Sequence, residues 1–359
     1  MLLFGFSAGN SGERGYLTGE FVLRQKRKGR HNAVFAILAA AACFIVIAAL
    51  YAGGRLLEKS MEKPEVRGDL SQRYAYENLV EYQGEMYRPR SNIFSVLLMG
   101  IDHTSEGAAA ASYRNGGQAD FLRLLVIDSA EKTVSQIQID RDTMTPITVL
   151  GVLGNRSGIR TAQVSLSHGF GDGKKQSCEL TKEAVENLFF NAPIDAYMAL
   201  NMDGISVLND MVGGITVTLE DDFSVLDPAM TPGTTLTLMG EQAEYYTRYR
   251  RNIGEGSNAS RMKRQEAYIS ELSEAMEKRV SANKEYVGVL YDALLPYMIT
   301  DISRGRLINE VWAAKDYKRN AVFEPEGTHI VGEDGFMQFY ADEAALEQIV
   351  MELFYMKVQ

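Results

Sequence analysis

The chain has 359 residues, 46% hydrophobic and 23% charged, which is close to the globular average and excludes a disordered or fibrous protein. Two cysteines and four histidines, with no His-Glu-x-x-His motif, argue against a disulfide framework or a zinc hydrolase. The net charge is −10, yet residues 1–32 carry six basic and two acidic side chains, so the remainder stands at −14. We expect no nucleic-acid partner, because affinity for nucleic acid comes mainly from neutralising its phosphates and the remainder of this chain is strongly acidic.

An uncharged apolar segment covers residues 33–52. Its 20 residues, at about 1.5 Å each in a helix, cross a hydrocarbon core of roughly 30 Å. The basic run from Arg24 to Arg30 precedes it, which predicts a cytoplasmic tail over residues 1–32 and an external location for the rest. A cleaved signal peptide and a buried core helix are the alternatives, but the apolar part of a signal peptide is usually about 7–15 residues long. We therefore expect a signal-anchor helix and a single-pass membrane protein whose C-terminal domain faces outward.

The rest of the sequence predicts a stalk followed by one large domain. Residues 53–91 are rich in charge and tyrosine, which predicts an extracytoplasmic stalk, and folded character begins with the apolar run at 93–102. Strands are predicted over 93–102, 121–128, 133–140, 196–202 and 215–219, and helices over 180–190, 205–211, 240–250, 260–280 and 341–355. Because strands and helices interleave without a repeat, we expect a mixed α/β or α+β fold with a central mixed sheet flanked by helices.

Arginines cluster in the second half of this acidic chain. Five of them lie within 17 residues, and they are Arg248, Arg250, Arg251, Arg261 and Arg264. On a helix, Arg261, Arg264 and Gln265 share one face. Planar guanidinium groups bind phosphate oxygens two at a time, so the cluster indicates an anion site. A solvated basic helix face with ordinary ion pairs is the alternative.

Aspartates lie beside the predicted strands. The run Asp140-Arg141-Asp142-Thr143 follows one strand, and Asp102 and Asp120 adjoin two others. Strand ends in α/β sheets are where ligand-binding groups collect. Carboxylates without histidine or thiol partners suit Mg²⁺ or Mn²⁺, which take oxygen ligands and bridge phosphates. Turn formation is the alternative role for each aspartate. Together with the arginines, the carboxylates indicate metal-assisted phosphoryl chemistry.

Nine short stretches, taken in order, resemble the LytR-CpsA-Psr family of bacterial cell-envelope proteins. They cover about residues 93–280, and one membrane span before an external domain also fits the family. The stretches are LLMGID at 97–102, AD at 119–120, DRDT at 140–143, PIDAY at 193–197, MDG at 202–204, VGGITV at 212–217, LMGEQA at 238–243, YTRYR at 246–250 and RMKRQ at 261–265. The resemblance predicts a catalytic domain over residues 92–280. We interpret residues 281–359 as a C-terminal extension that packs on it.

The resemblance implies a glycopolymer ligase of the cell wall. The donor would be a polyprenyl-pyrophosphate-linked teichoic acid, capsule or other polysaccharide, and the acceptor would be peptidoglycan. Transfer of the glycan phosphate to a wall sugar hydroxyl would release polyprenyl phosphate, and the lipid chain would lie in an apolar groove between the sheet and its flanking helices. By motif position, Asp102 and Asp120 would hold Mg²⁺ (or Mn²⁺), while the pyrophosphate ligands would be Arg141, Arg248, Arg250, Arg261 and Gln265.

Phosphoryl transfer needs positioning and charge stabilisation more than a protein nucleophile. Beside Arg141, Asp142 is the second candidate catalytic residue, either as the base for the acceptor hydroxyl or as an orienting partner of Arg141. Two stretches depart from the family: residues 118–121 read Gln-Ala-Asp-Phe where Arg-Ser-Asp-Thr is usual, and residues 163–165 read Gln-Val-Ser where Lys-Ile-Asn is usual. A lipid pyrophosphatase and a non-catalytic glycopolymer-binding or envelope-regulatory protein are the alternative functions.

Overall fold

A computed structural model describes residues 79–102, 116–151, 154–249 and 253–358. The predicted tail, the predicted anchor helix and most of the predicted stalk lie outside these ranges, as does Arg250. Within the described ranges, no helix has the length and apolar character needed to cross a membrane.

Strands dominate the described chain. In chain order they are β1 (Val80–Tyr82), β2 (Glu85–Pro89), β3 (Ile93–Asp102), β4 (Gln118–Asp128), β5 (Thr133–Ile139), β6 (Met144–Leu150), β7 (Arg156–Gln163), β8 (Ala196–Asn201), β9 (Ile215–Thr218), β10 (Thr235–Leu238), β11 (Met298–Thr300), β12 (Lys318–Phe323), β13 (Gly327–Val331), β14 (Met337–Ala341) and β15 (Tyr355–Lys357). The helices are α1 (Leu166–Gly169), α2 (Lys175–Leu188), α3 (Asp203–Val212), α4 (Glu241–Arg248), α5 (Asn258–Ala282), α6 (Tyr286–Leu294), α7 (Arg304–Ala314) and α8 (Glu343–Phe354).

A six-stranded mixed sheet forms the centre of the fold, in the order β11-β8-β3-β4-β5-β12. Strand β4 runs antiparallel to both β3 and β5, whereas β8 runs parallel to β3 and β12 runs parallel to β5. The predicted α+β fold with a central mixed sheet is confirmed, and β4 and β5 form an antiparallel hairpin within it. Four smaller two- and three-stranded sheets surround this centre in the described part of the chain.

The two faces of the central sheet differ in burial. One face carries the main core, in which Leu97, Leu124 and Ile137 are fully buried and α2 and α8 pack against the sheet. On the other face Leu98, Leu125 and Met198 remain half-buried, although their strands lie in the interior of the sheet. The apolar runs of the interior strands follow from this arrangement, because an interior strand meets apolar neighbours on both faces.

A second core cluster lies beside the sheet and supports the helix that carries the predicted arginines. Helix α5 packs here against α3, α4 and the β9–β10 hairpin, with Phe223, Tyr246 and Tyr268 buried between them. The helix begins at Asn258 because the side chain of Ser257 accepts a hydrogen bond from the amide of Ser260. Arg261 therefore lies in the first turn of a capped helix.

The two ends of the folded region pair with each other, which the sequence did not predict. Residues 80–89, assigned above to the stalk, form β1 and β2, and β2 pairs with the last strand, β15. Residues 281–359 contribute both edge strands of the central sheet, β11 and β12, and the core helix α8. The folded region therefore starts before the predicted boundary at residue 92, and the C-terminal segment forms part of the central architecture.

Candidate active site

The buried carboxylate of Asp120 is the centre of the candidate site. Asp120 lies near the start of β4, with only 7% of its side chain exposed, and it binds two guanidinium groups. Nη1 of Arg141 donates to Oδ1, and Nη1 of Arg261 donates to Oδ2 over 2.9 Å. The fold thus brings a strand, the turn after β5 and the first turn of α5 together. The two guanidinium groups meet one acidic group in a site with little access to water.

A hydrogen-bonded turn at the end of β5 presents Arg141 and Asp142. The carboxylate of Asp140 accepts from the amide of Asp142 over 2.9 Å, and the amide of Thr143 donates to the Asp140 carbonyl over 3.0 Å. Oδ1 of Asp142 lies 3.4 Å from Nε of Arg141. Asp140 acts here as a turn former, the alternative role given to it above. Residues 140–143 hold both candidate catalytic residues, and we call them the catalytic turn.

A second ion pair lies at the end of β3. Nη2 of Arg248 donates to Oδ1 of Asp102 over 2.6 Å, and Nη1 of Arg248 donates to Glu244 over 2.7 Å. Partial burial lowers the pKa of the Arg248 guanidinium, but the hydrogen bonds and charges of Glu244 and Asp102 outweigh that effect and leave the pKa above its ordinary value. Arg248 is therefore a fixed positive charge, and it is partly open to solvent.

Polar side chains of helix α5 make two kinds of contact: one reaches Asp120, and the others hold helix α4. Arg261, Arg264 and Gln265 are all buried, as expected for residues on one helix face, but of the three the described contacts bring only Arg261 to Asp120. Gln265 donates to the carbonyl of Thr247 over 3.1 Å. Arg264 donates to Asp221 over 2.7 Å and to the Tyr246 carbonyl over 3.1 Å. Gln265 and Arg264 thus hold the C-terminal end of α4 against α5.

Sequence reasoning missed three partners of the site. The side chain of Gln118 accepts from Arg141, so it shares that guanidinium with Asp120. Nε2 of His329 lies 2.8 Å from Oδ2 of Asp140. Glu266 accepts from the buried Arg123 of β4, beside the site. Gln118 was visible as a departure from the family pattern, whereas His329 gave no signal because 189 residues separate it from Asp140.

The carboxylates fit a hard cation only if it shares them with an anionic ligand. Asp102 and Asp120 lie on adjacent strands, with Asp102 paired in register with Gln118, and oxygen donors suit Mg²⁺ or Mn²⁺. In the residues that the structure describes, no three His, Cys, Asp or Glu side chains gather as metal ligands. Both oxygens of Asp120 already bind guanidinium groups, so a cation there requires that Arg141 and Arg261 turn to other oxygens, such as those of a phosphate.

These features define an α+β protein with a cluster of buried arginine and aspartate side chains at one end of the interior strands of its central sheet. The model of the LytR_cpsA_psr family matches residues 62–354, and the chain belongs to this family. The resemblance seen in the sequence is confirmed, and the match extends well beyond residue 280, in agreement with the central place of the C-terminal strands.

Curated relatives and solved structures agree with this assignment. The polyisoprenyl-teichoic acid–peptidoglycan teichoic acid transferase TagU of Halalkalibacterium halodurans is 26% identical over 277 residues, which cover 72% of this chain and 82% of that protein. Protein gbs0355 of Streptococcus agalactiae superposes with a TM-score of 0.60 at 24% identity, covering 73% and 88% of the two chains. A structure described as TagT bound to LI-WTA superposes with a TM-score of 0.55 at 20% identity, covering 73% and 90%. The two structures share the fold of this chain.

Proposed function

We propose that the protein transfers a glycopolymer from a polyprenyl-pyrophosphate carrier to peptidoglycan at the site around Asp120. The observation that carries the proposal is the convergence of Arg141 and Arg261 on one buried carboxylate, in a chain whose relatives include proteins named as teichoic acid transferases. Two guanidinium groups in a site closed to water suit a doubly charged phosphate group better than a neutral substrate.

Asp120 serves as the counter-ion of the two arginines when no substrate is bound. A pyrophosphate offers several acceptor oxygens, and each charge-assisted hydrogen bond contributes about 1.5–3 kcal/mol. In the proposed complex, Arg141 and Arg261 turn from Asp120 to the pyrophosphate, and Arg248 turns from Asp102. Both carboxylates then become available to hold Mg²⁺ (or Mn²⁺). When bound there, the cation would neutralise charge on the phosphate oxygens.

The transfer step needs a proton acceptor beside the phosphate that is attacked. Asp142 lies next to Arg141 in the catalytic turn and is the proposed base. The acceptor hydroxyl loses its proton to Asp142, a bond forms between its oxygen and phosphorus, and the bond from that phosphorus to the bridging oxygen breaks. The polyprenyl phosphate leaves, carrying the bridging oxygen and its electron pair.

The lipid part of the donor needs an apolar surface near the same site. The half-buried side chains of Leu98, Leu125 and Met198 support this assignment, because side chains on interior strands of a sheet covered on both faces are normally fully buried. We propose that the isoprenoid chain lies against this face. The predicted anchor at residues 33–52 would keep the domain at the external membrane surface, where such a donor is found.

The test is release of polyprenyl phosphate from a lipid-linked glycopolymer by the full-length protein in detergent, with Mg²⁺ and peptidoglycan present. Arg141→Ala should lower kcat by a factor of about 100 or more, as expected when a charge-stabilising donor is lost. Arg160→Ala is the matched control, because Arg160 is an exposed arginine in β7 that contacts Phe170.

Three outcomes separate the candidate functions. Release that needs peptidoglycan and Arg141 supports the transferase. Release that proceeds equally in the absence of peptidoglycan indicates a lipid pyrophosphatase. If the folded wild-type protein releases nothing, the proposal is wrong and a binding or regulatory role remains.

A further inference from the structure

The hairpin of β13 and β14 lies directly on the catalytic turn. The amide of Phe339 donates to the carbonyl of Asp142 over 2.8 Å, and Phe339 forms a parallel bridge with Thr143. Nε2 of His329 lies 2.8 Å from Oδ2 of Asp140. The hairpin comes from the C-terminal region, far outside the motifs that supplied the site, and yet it contacts three of the four residues of the turn.

These contacts act on the groups that give the turn its shape. Asp140 uses one carboxylate oxygen to accept from the amide of Asp142, and its other oxygen meets His329. The imidazole in turn packs against the buried ring of Phe339, with ring centroids 4.5 Å apart and the ring planes tilted by 36°. A chain of contacts therefore runs from the hairpin through Asp140 to the backbone of Asp142, next to Arg141.

The hairpin adds little to the hydrophobic core. Its two strands pair with each other and not with the central sheet. Its outer part exposes Ile330, Val331 and Phe336, whereas the buried Phe339 lies at the contact with the turn. An element that served stability alone would bury its apolar side chains against the core. This hairpin directs its buried end to the catalytic turn.

We propose that the β13–β14 hairpin positions the catalytic turn, and that His329 is the positioning residue, acting through Asp140. The inference rests on the proposed function, because the turn carries Arg141 and Asp142. Loss of the imidazole contact removes one of the hydrogen bonds that hold the Asp140 carboxylate, so the backbone that presents both side chains is held less firmly. A misplacement of about 1 Å at a reacting group can cost roughly a hundredfold in rate.

Two substitutions at position 329 separate positioning from simple stability. His329→Leu removes the hydrogen bond to Asp140, and we expect kcat to fall at least about tenfold, with a smaller change in the donor KM because Arg248 and Arg261 lie outside the turn. His329→Gln retains an N–H donor of similar reach and should keep kcat within about threefold of wild type. Ile330→Thr is the matched control, since Ile330 is the exposed next residue and points to the other face of the hairpin.

Hydrogen exchange gives a readout that does not need turnover. We expect the amides of Asp142 and Thr143 to exchange at least about tenfold faster in His329→Leu than in wild type or Ile330→Thr. Unchanged exchange would overturn the inference even if the enzyme is active. A fall in kcat that Gln does not restore, or that merely follows a lower Tm, would also overturn it. If the two amides exchange faster in His329→Leu but the wild-type protein shows no turnover, the hairpin positions the turn and the proposed function is wrong.

Discussion

The carboxylate of Asp120 separates two guanidinium groups that would otherwise repel each other in a dry site. The gain from such a buried triad depends on every member being present, because an uncompensated buried charge costs more than the intact group contributes. The same arrangement prepares the arginines for an anion. Their orientation is already fixed toward one point, so little side-chain entropy is lost when a phosphate replaces the carboxylate as their partner.

Replacing this carboxylate tests the charge balance of the site directly. Asp120→Asn should lower the free energy of unfolding by about 3 kcal/mol, because Arg141 and Arg261 keep their charges and lose the buried carboxylate that lies between them. Inorganic pyrophosphate should raise the Tm of this variant more than that of the wild type. Thermal and denaturant unfolding measure both effects.

Asp292→Asn is the control for that substitution, since Asp292 pairs with Arg304 at an exposed position. This variant should lower the free energy of unfolding by less than about 1 kcal/mol. Equal losses in the two variants, or no selective rescue by pyrophosphate, would contradict the assigned charge balance.

At the scale of elements, one buried arginine connects the central sheet to helix α5. Arg123 of β4 is 1% exposed and donates to Gln136 and Gln138 of β5 as well as to Glu266 of α5. Arg261 lies little more than one helical turn before Glu266 on the same helix. The sheet–helix distance at the site is therefore set partly by an ion pair that takes no part in the proposed chemistry.

Removing the acidic partner of that connection should destabilise the protein. Glu266→Ala leaves the Arg123 guanidinium buried with two amide oxygens and no counter-charge, and we expect a loss of about 2 kcal/mol in the free energy of unfolding. Glu271→Ala, an exposed glutamate farther along α5, is the control and should change stability by less than about 0.5 kcal/mol. Similar values for the two variants in urea titrations would show that the connection carries no stability.

The elements that could be predicted are those whose pattern reflects burial. The apolar run at 93–102 became β3 with the expected bounds, and the alternation at 215–219 became β9. In contrast, β13 is exposed throughout, and β2 is charged and mostly exposed, so neither shows the periodicity that burial imposes. The site followed the same rule: its residue types pointed to an anion, but the partners of Asp120 and Asp140 depend on contacts between distant parts of the chain.

At the scale of the whole molecule, the core is shared between the motif region and the C-terminal segment. Helix α8 places Leu346, Val350 and Phe354 in the main core, and β11 and β12 cover both edges of the central sheet. The part of the chain that carries the family motifs is therefore incomplete as a folding unit.

A chain that ends at Val280 should confirm this dependence. Without α8 and the edge strands it loses buried apolar surface and leaves two open strand edges, so we expect no cooperative unfolding transition and a tendency to aggregate. Near-UV circular dichroism during a thermal scan, compared with the full chain, provides the measurement. A sharp transition with native-like aromatic signals in the shortened chain would show that residues 281–359 are dispensable for folding.

The pairing of β2 with β15 also limits how early the chain can finish folding during its synthesis. Pro89 lies opposite Tyr355, and Arg90 donates to the Tyr355 carbonyl over 2.8 Å. A ribosome adds about 5–20 residues per second, so β2 waits on the order of 10–50 s before its partner strand exists. Until then β2 can pair only with β1, and the main core lacks the side chains that α8 supplies. The small sheet that joins the two ends of the folded region can therefore be completed only after Tyr355 has been added to the chain.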